Sequence, residues 1–313
     1  MGDYIMKKVL MIIFLLFSII LLNSCGSKDE PLKFTLTTYG DSYSVSAKNV
    51  KIKGEITIPS TYNDKPVTEI GVEAFERCDK ITSIEIPDSI TIIKYKAFEL
   101  CRKIRNITIP DSVTKIEYGA FQLTTNMGKV KMSKNINEIP DYAFDGSGLT
   151  DINIPDGVVS IGEFAFAGCQ LRNIYIPDSV VNIGTAAFTN CAMYSVELPG
   201  ELINLPYRCF DGCENLTSII IPNTVTTIES YAFAGCITLT SVSFGTGLLK
   251  INEYAFSNCR NLGKATFSGN NSWYVMSSVG NIFNVDVSNS SKNANYLSST
   301  YRSYTWYVTG YFN

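Results

Sequence analysis

Apolar and polar positions recur along this chain with a period of 22 or 23 residues. Each period holds a short alternating apolar segment, a Pro-Asp or related turn, a second apolar piece, and a small residue followed by Phe. A repeat of this length predicts a solenoid, in which each repeat buries its apolar face against its neighbours. The nine Phe residues are Phe75, Phe98, Phe121, Phe144, Phe166, Phe188, Phe210, Phe233 and Phe256.

One repeat illustrates the predicted elements. In residues 84–86, isoleucine alternates with glutamate, which predicts a strand with one buried face. Pro87 ends this strand because proline cannot donate a ladder hydrogen bond. Residues 90–93 predict a second, shorter extended piece, and residues 95–101 a turn of α or 3₁₀ helix with Phe98 buried between layers. Because each strand returns by a crossover, the stacked strands must be parallel.

The composition mainly excludes certain classes of function. The net charge of −3 and the pI near 5.2 give no electrostatic basis for nucleic-acid binding. The chain has no His, which removes the commonest general base and metal ligand. It also has no Gly-rich phosphate loop and no C-x-x-C cysteine pair of the kind that binds metal ions. We therefore expect a protein that is not an enzyme, with no catalytic residues, no metal site and no cofactor.

Seven cysteines follow the repeat Phe by three positions, and they admit two interpretations. They could form disulfides or a metal site. Alternatively, they could be a ladder of buried small residues whose thiols cap turn backbone groups, since Thr124 and Ser147 take the same place in two repeats. The seven are Cys78, Cys101, Cys169, Cys191, Cys213, Cys236 and Cys259.

The N-terminal segment predicts an export signal. Lys7 and Lys8 precede an apolar stretch, residues 9–22, that is too short to span a bilayer as a helix. A small residue then precedes Cys25, and the whole segment resembles a bacterial lipoprotein signal. That resemblance implies cleavage before Cys25 and its acylation. The alternatives are a plain secretory signal with a chance cysteine and a transmembrane anchor.

Three charged residues, Lys28, Asp29 and Glu30, follow this cysteine closely. They resemble the export signal that sends lipoproteins to the outer face of some Gram-negative anaerobes. The alternative is an ordinary charged tether between lipid and fold. The resemblance implies a lipid-anchored outer-membrane protein that faces the cell exterior, attached to the membrane through its N-terminal lipid only.

The repeat as a whole resembles the BspA-like class of bacterial leucine-rich repeat. The shared pattern is Ile-Pro-Asp-Ser-Val, then Ile, then Ala-Phe, Cys and Leu at fixed spacing, ending in Ile-x-Ile-Pro. The resemblance implies a leucine-rich repeat solenoid of right-handed, β-rich horseshoe form. A parallel strand ladder would line one face, with short strands and helical turns on the other and a cap at each end.

The same reasoning divides the chain. Residues 1–24 are expected to be the lipoprotein signal peptide and residues 25–31 the lipidated tether. Residues 32–53 would form an N-terminal β cap, and residues 54–267 the solenoid of about nine repeats. Residues 268–313 lose the repeat and are rich in Ser, Asn and Tyr, which suits a cap over the last hydrophobic layer.

The strand positions that face outward indicate where a ligand would bind. Most are small and polar, whereas Lys129, Lys131, Tyr175 and Ile220 depart from this pattern. Together with Glu197 they predict a contact patch, although ordinary surface variation would also explain them.

Two functions fit these observations. The first is a surface lipoprotein that binds a protein ligand through the concave face of the solenoid, as an adhesin or interaction scaffold. Family resemblance implies host extracellular-matrix or plasma proteins as partners. The second is a carbohydrate-binding accessory protein of a glycan-uptake system, with C-terminal aromatic residues such as Trp273 and Trp306 as its platform.

Overall fold

The computed structural model describes residues 31–269 and 271–309. Within these ranges the chain forms a β-solenoid of about ten turns with little helix, so the predicted solenoid is confirmed. None of the helices there is long and apolar enough to cross a membrane. The strands and helix are β1 (Leu32–Leu36), β2 (Tyr43–Ala47), β3 (Lys53–Thr57), β4 (Thr61–Tyr62), β5 (Lys65–Ile70), β6 (Lys80–Glu85), β7 (Ile92–Ile93), β8 (Asn106–Thr108), β9 (Lys115–Ile116), β10 (Lys129–Lys131), β11 (Glu138–Ile139), β12 (Asp151–Ile152), β13 (Ser160–Ile161), β14 (Asn173–Tyr175), β15 (Asn182–Ile183), β16 (Ser195–Glu197), β17 (Asn204–Leu205), β18 (Ser218–Ile221), β19 (Thr227–Ile228), β20 (Ser241–Phe244), β21 (Lys250–Ile251), β22 (Lys264–Phe267), β23 (Trp273–Met276), β24 (Ile282–Val285), α1 (Ser290–Asn295) and β25 (Thr305–Val308), with a π-helical turn at Tyr296–Thr300.

Two parallel ladders run along the solenoid. The long-strand ladder comprises β3 and the even-numbered strands from β6 to β22. The short-strand ladder comprises the odd-numbered strands from β5 to β21, which are mostly two residues long. Prolines that follow the long strands, such as Pro110 and Pro177, prevent them from extending. The core lies between the ladders, where the apolar residues of each alternating pattern are buried.

A stack of phenylalanine rings fills the centre of this core. All nine repeat Phe side chains are buried. Successive ring centroids lie 5.1–5.5 Å apart, and successive ring planes differ by 3–13°. Each ring contributes roughly 1.5–3 kcal/mol by leaving water. The stack thus gives every repeat the same buried apolar contact, and this contact does not depend on the residues at the repeat's surface.

The Phe-containing segment is a run of overlapping β-turns, whereas the sequence predicted a turn of helix there. In the first repeat, amides at Ala74, Glu76 and Cys78 each donate to the carbonyl three residues earlier. Glu73 and Arg77, between these turns, have positive φ angles of 51° and 57°. A left-handed conformation interrupts a right-handed helix, so the segment cannot continue as one.

These turns form a third ladder of hydrogen bonds, which we call the turn ladder. The Phe amide of each repeat donates to the carbonyl of the residue that precedes Phe in the next repeat. The first such bond joins Phe75 to Ala97 at 2.7 Å, and the series runs to Phe233 and Ala255. All eight distances lie between 2.7 and 3.0 Å, and no step from Phe75 to Phe256 lacks its bond.

Six of the seven ladder cysteines cap turn carbonyls. The Cys101 thiol donates to the Phe75 carbonyl of the preceding repeat at 3.0 Å, and five further cysteines repeat this contact at 3.0–3.2 Å. Ser147 takes the cysteine position in its repeat, and its hydroxyl lies 3.3 Å from the Cys169 sulfur. All eight cysteines within the described ranges are buried and unbridged. The capping interpretation therefore accounts for their spacing.

Both ends of the short-strand ladder are covered by additional strands. At the N-terminal end, β2 pairs in parallel with β5, and β1 pairs antiparallel with β2. At the C-terminal end, β25 pairs antiparallel with β21, and β23 and β24 continue the sheet. These additions occupy the edges at which an open ladder would pair with other chains.

The last rung of the long-strand ladder is capped differently. Helix α1 packs against β22, and the amide of its buried Asn293 side chain donates to the Ala265 carbonyl at 3.1 Å. The same amide donates to the Val287 carbonyl at 2.8 Å. Asn293 therefore satisfies a strand carbonyl that would otherwise have the next rung as its partner.

Burial of the thiols makes stability depend on pH. Burial raises the pKa of Cys78 to about 11 and those of Cys169 and Cys213 to about 12, against an ordinary value of 9.0. It also raises the pKa of Cys191 well above that value. Below pH 9 these thiols are protonated in both the folded and the unfolded chain. Above pH 9 the unfolded chain releases protons first, so stability is lost as the pH rises through the folded-state pKa values.

We expect the free energy of unfolding in urea to fall between pH 9 and pH 11. A variant with Cys169→Ser, Cys191→Ser and Cys213→Ser keeps hydroxyl donors that do not titrate there, so its decline should be shallower. The slopes should differ by up to about 1.4 kcal/mol per pH unit for each thiol replaced. Parallel pH profiles for the two proteins would show that the buried thiols do not carry this dependence.

Candidate protein-binding face

The outward side of the long-strand ladder presents two columns of side chains, with one residue of each column in every rung. The residues between the columns point into the core and form what we call the middle column. The first outward column contains Glu55, Ser83, Asn106, Lys129, Asp151, Asn173, Ser195, Ser218, Ser241 and Lys264. The second outward column contains Thr57, Glu85, Thr108, Lys131, Asn153, Tyr175, Glu197, Ile220, Ser243 and Thr266.

Three of the predicted contact residues are consecutive in the second column. Tyr175 lies directly opposite Glu197 in the β14–β16 pair, and Ile220 takes the equivalent position in the next rung. Tyr175 is 52% exposed and Ile220 is 75% exposed. Paired strands such as β14 and β16 lie about 4.8 Å apart, and β18 is the next rung. The structure therefore places an aromatic, an acidic and an aliphatic side chain in one line.

The two predicted lysines lie nearer the N-terminal end of the same face. Lys131 is in the second column, two rungs before Tyr175. Lys129 is in the first column and forms an ion pair with Asp151 at 3.1 Å, in which both side chains are more than 60% exposed. An exposed pair of this kind contributes about 0–1 kcal/mol, so a ligand could replace Asp151 at little cost.

Two exposed residues beside this line were missed by the sequence analysis. Tyr194 is 50% exposed and directly precedes Ser195, and Arg172 takes the equivalent position one rung earlier. Strict alternation would point both side chains inward, but the strands begin only at the following residue. The sequence did indicate that this position is exposed, because the equivalent residues of two other rungs, Thr150 and Thr217, are polar.

The described residues offer little for catalysis. Within residues 31–269 and 271–309, no group of three His, Cys, Asp or Glu side chains could hold a metal ion. Burial raises the pKa of two carboxyl groups, those of Asp145 and Asp211, but both lie on turn segments of different repeats. Neither belongs to the line of Tyr175, Glu197 and Ile220.

The two C-terminal tryptophans do not form a platform for sugars. Trp306 is 1% exposed and Trp273 is 3% exposed. The Trp306 ring stacks on Phe267 with centroids 6.0 Å apart, and the Trp273 ring lies 5.0 Å from Phe267. A ring must expose its face to stack on a carbohydrate, so the predicted role for Trp306 is wrong. The two tryptophans pack the C-terminal cap.

The predicted lipid-attachment residue Cys25 and the predicted export residues Lys28, Asp29 and Glu30 lie outside the described residues.

Some aromatic residues of the Phe-containing turn segments are also exposed in part. Tyr95 and Tyr118, for example, stack with ring centroids 5.4 Å apart.

Comparison with solved structures finds other bacterial leucine-rich repeat proteins. A leucine rich cell surface protein from Faecalibacterium prausnitzii A2-165 is 24% identical, with 79% of this chain and 96% of that chain covered and a TM-score of 0.40. The T. pallidum leucine rich repeat protein is 22% identical over 76% of this chain and 91% of its own, with a TM-score of 0.40. The pneumococcal vaccine antigen PcpA is 20% identical over 76% and 69%, with a TM-score of 0.48.

No curated protein sequence matches this chain. A sequence model of the BspA type leucine rich repeat region, however, matches residues 48–170 and 137–263 in six copies, which covers more than half of the chain. The matched region contains every repeat Phe and both ladders from β5 to β21. The chain belongs to the BspA-type leucine-rich repeat family.

Proposed function

We propose that this protein is a cell-surface lipoprotein that binds a protein ligand through the outward side of its long-strand ladder, as an adhesin or interaction scaffold. BspA-type leucine-rich repeat proteins are typically cell-surface proteins, and leucine-rich repeats generally mediate protein interactions without catalysis. In this proposal the outward side is the concave face of the solenoid. The partner would be a host extracellular-matrix or plasma protein.

The line of Tyr175, Glu197 and Ile220 is the observation that carries this proposal. The rest of the face is mostly small and polar, which a solvated sheet requires. The exposed side chains of Tyr175 and Ile220, on either side of Glu197 in the column, have no role in the solenoid core. Exposed aromatic and apolar residues grouped in this way are typical of interface anchors. Lys131 and Lys129 would extend the contact toward acidic groups of the partner.

Binding to an array of host extracellular-matrix and plasma proteins tests the proposal. We expect at least one component to bind, and Tyr175→Ala, Lys131→Glu and Ile220→Ala each to weaken that binding about tenfold or more. Ile203→Ala is the matched control, because Ile203 is 54% exposed and directly precedes β17 of the other ladder.

Two results would contradict this assignment of the face. One is an array without any bound component. The other is an equal loss of binding in the Ile203→Ala control, which would place the contact elsewhere or show that binding is not specific to the long-strand ladder.

The membrane location is a second part of the proposal. We propose that Cys25 is acylated and that Lys28, Asp29 and Glu30 direct the lipoprotein to the outer face of a Gram-negative outer membrane. An apolar segment followed by a small residue and cysteine supports the lipid anchor, and the adjoining charges support export.

Protease treatment of intact producing cells tests this location. Wild-type protein should be degraded, and a variant with Lys28, Asp29 and Glu30 replaced by Ala should be protected. A variant with Lys51→Ala, Lys53→Ala and Glu55→Ala, which also removes three charges, should be degraded like the wild type. Protection of the wild type would place the solenoid in the periplasm and overturn the surface assignment.

A further inference from the structure

The long-strand ladder opens between β16 and β18. Hydrogen bonds join β14 to β16 and join β18, β20 and β22 to one another, but β16 and β18 are not paired as strands. The turn ladder continues across the same step, where the Phe188 amide donates to the Cys209 carbonyl at 3.0 Å. The Thr217 amide also donates to the Tyr194 carbonyl at 3.2 Å, just before the two strands begin. The two repeats are therefore joined at their turns and at the start of their strands, and β16 and β18 are unpaired beyond that point.

The connection from turn to strand changes length at this step. Val196 follows Phe188 by eight positions, as in the two preceding repeats, whereas Ile219 follows Phe210 by nine. The opposite change occurs between the connections to β10 and β12, where the strands remain paired. The connection length alone therefore does not part the strands.

The opening exposes part of the core. In the middle column of the long-strand ladder, Val196 is the one partly exposed residue among the described strands, and its equivalents from Ile56 to Ala265 are buried. A cleft of about 360 Å³ lies between the two strands. This volume is at the lower end of the range for ligand pockets, about 300–1,000 Å³. The apolar residues that line the cleft are Val196, Leu198, Ile219, Ile220 and Pro222.

A carboxylate stands at the rim of this cleft. Glu197 lines the cleft and is exposed, and no ion pair involving it occurs among the described residues. By contrast, Glu69 is paired with Lys94 at 2.7 Å and Glu99 with Lys96 at 3.0 Å. An apolar cleft with an unpaired carboxylate beside it is complementary to an apolar side chain next to a cation.

Two other steps of the ladder, β6–β8 and β12–β14, also lack strand pairing. At β12–β14 the middle residues Ile152 and Ile174 are both buried. A cleft of about 410 Å³ lies between β6 and β8. There the middle residues Ile84 and Ile107 stay buried, and the outward neighbour of Glu85 in the next rung is the polar Thr108. That cleft has a carboxylate but no exposed apolar wall.

We propose that the β16–β18 cleft receives a bulky apolar side chain of an extended segment of the protein partner, with an adjacent Lys or Arg of that segment paired to Glu197. This inference rests on the proposed function, that the long-strand face binds a protein. The apolar side chain would contact Val196 and Ile220, and the cation would pair with the carboxylate at the rim. The cleft would thus select for a short sequence feature of the partner.

Selection of random linear peptides displayed on phage against the full chain tests the inference. We expect enriched peptides to share a bulky apolar residue next to Lys or Arg. The consensus peptide should bind Glu197→Lys and Ile220→Ser about tenfold or more weakly than the wild type, and bind the Glu85→Lys control equally well. Both test positions are exposed, and Ser is the natural residue of the next rung at Ser243, so thermal unfolding should confirm that the variants fold.

Three results would overturn the inference. They are the absence of enriched peptides, enrichment of peptides without the apolar–basic pair, and equal binding of the consensus peptide to Glu197→Lys or Ile220→Ser.

The outcome is separable from that of the proposed function. The array could show binding that depends on Tyr175 and Lys131 while the peptide selection fails. That result would support the protein-binding function and contradict a role for the cleft. Peptides that bind the cleft, together with an array without any bound component, would support the cleft while contradicting the proposed class of partners.

Discussion

The stack of phenylalanine rings, locked by hydrogen bonds between successive turns, is the interaction on which the rest of this solenoid depends. No single repeat could bury its own Phe, so each ring gains its apolar environment from the repeats on either side. The amide of each Phe donates to the next repeat, and thiols such as that of Cys191 donate to the Phe carbonyl of the preceding one. Packing and backbone pairing therefore fix the same distance between neighbouring repeats.

This arrangement leaves the long strands free to vary. Because the turn ladder is continuous from Phe75 to Phe256, the strand ladder can lose its pairing at some steps without separating the repeats. At β16 and β18 the loss uncovers Val196 and creates a cleft beside Tyr175, Glu197 and Ile220. The fold is thus maintained on one side of the molecule, while the side proposed to bind a ligand changes from rung to rung.

Much of the fold can be predicted from the sequence, because each local pattern occurs again in every repeat. Burial of the nine Phe residues, the strand positions and the outward direction of Tyr175 and Ile220 can all be predicted from alternation and spacing. The turn conformation cannot, since residues such as Glu73 and Ala186 adopt positive φ without being glycine. Left-handed conformations of this kind cost an L-residue about 1–2 kcal/mol, and contacts with the neighbouring repeats must offset that cost.

Two other features also depend on contacts distant in sequence. Trp306 lies in a polar, aromatic-rich segment that would suit an exposed platform, and only the docking of β25 on β21 shows that its ring is buried. The β16–β18 cleft depends on how two neighbouring repeats align. A single repeat carries no information about that alignment, so the sequence predicted the contact residues around the cleft but not the cleft itself.

If the turn ladder carries the stability of the solenoid and allows the strand face to open, the two regions should differ in hydrogen exchange, which reports local opening residue by residue. In the unliganded full chain we expect slow exchange for the amides of Phe188 and Phe210, which donate across successive turns. We expect much faster exchange for the amides of Val196 and Ile220, which face the unpaired step between β16 and β18. Equal protection of these four amides would show that the strands are closed at this step and that the turn ladder does not carry the stability alone.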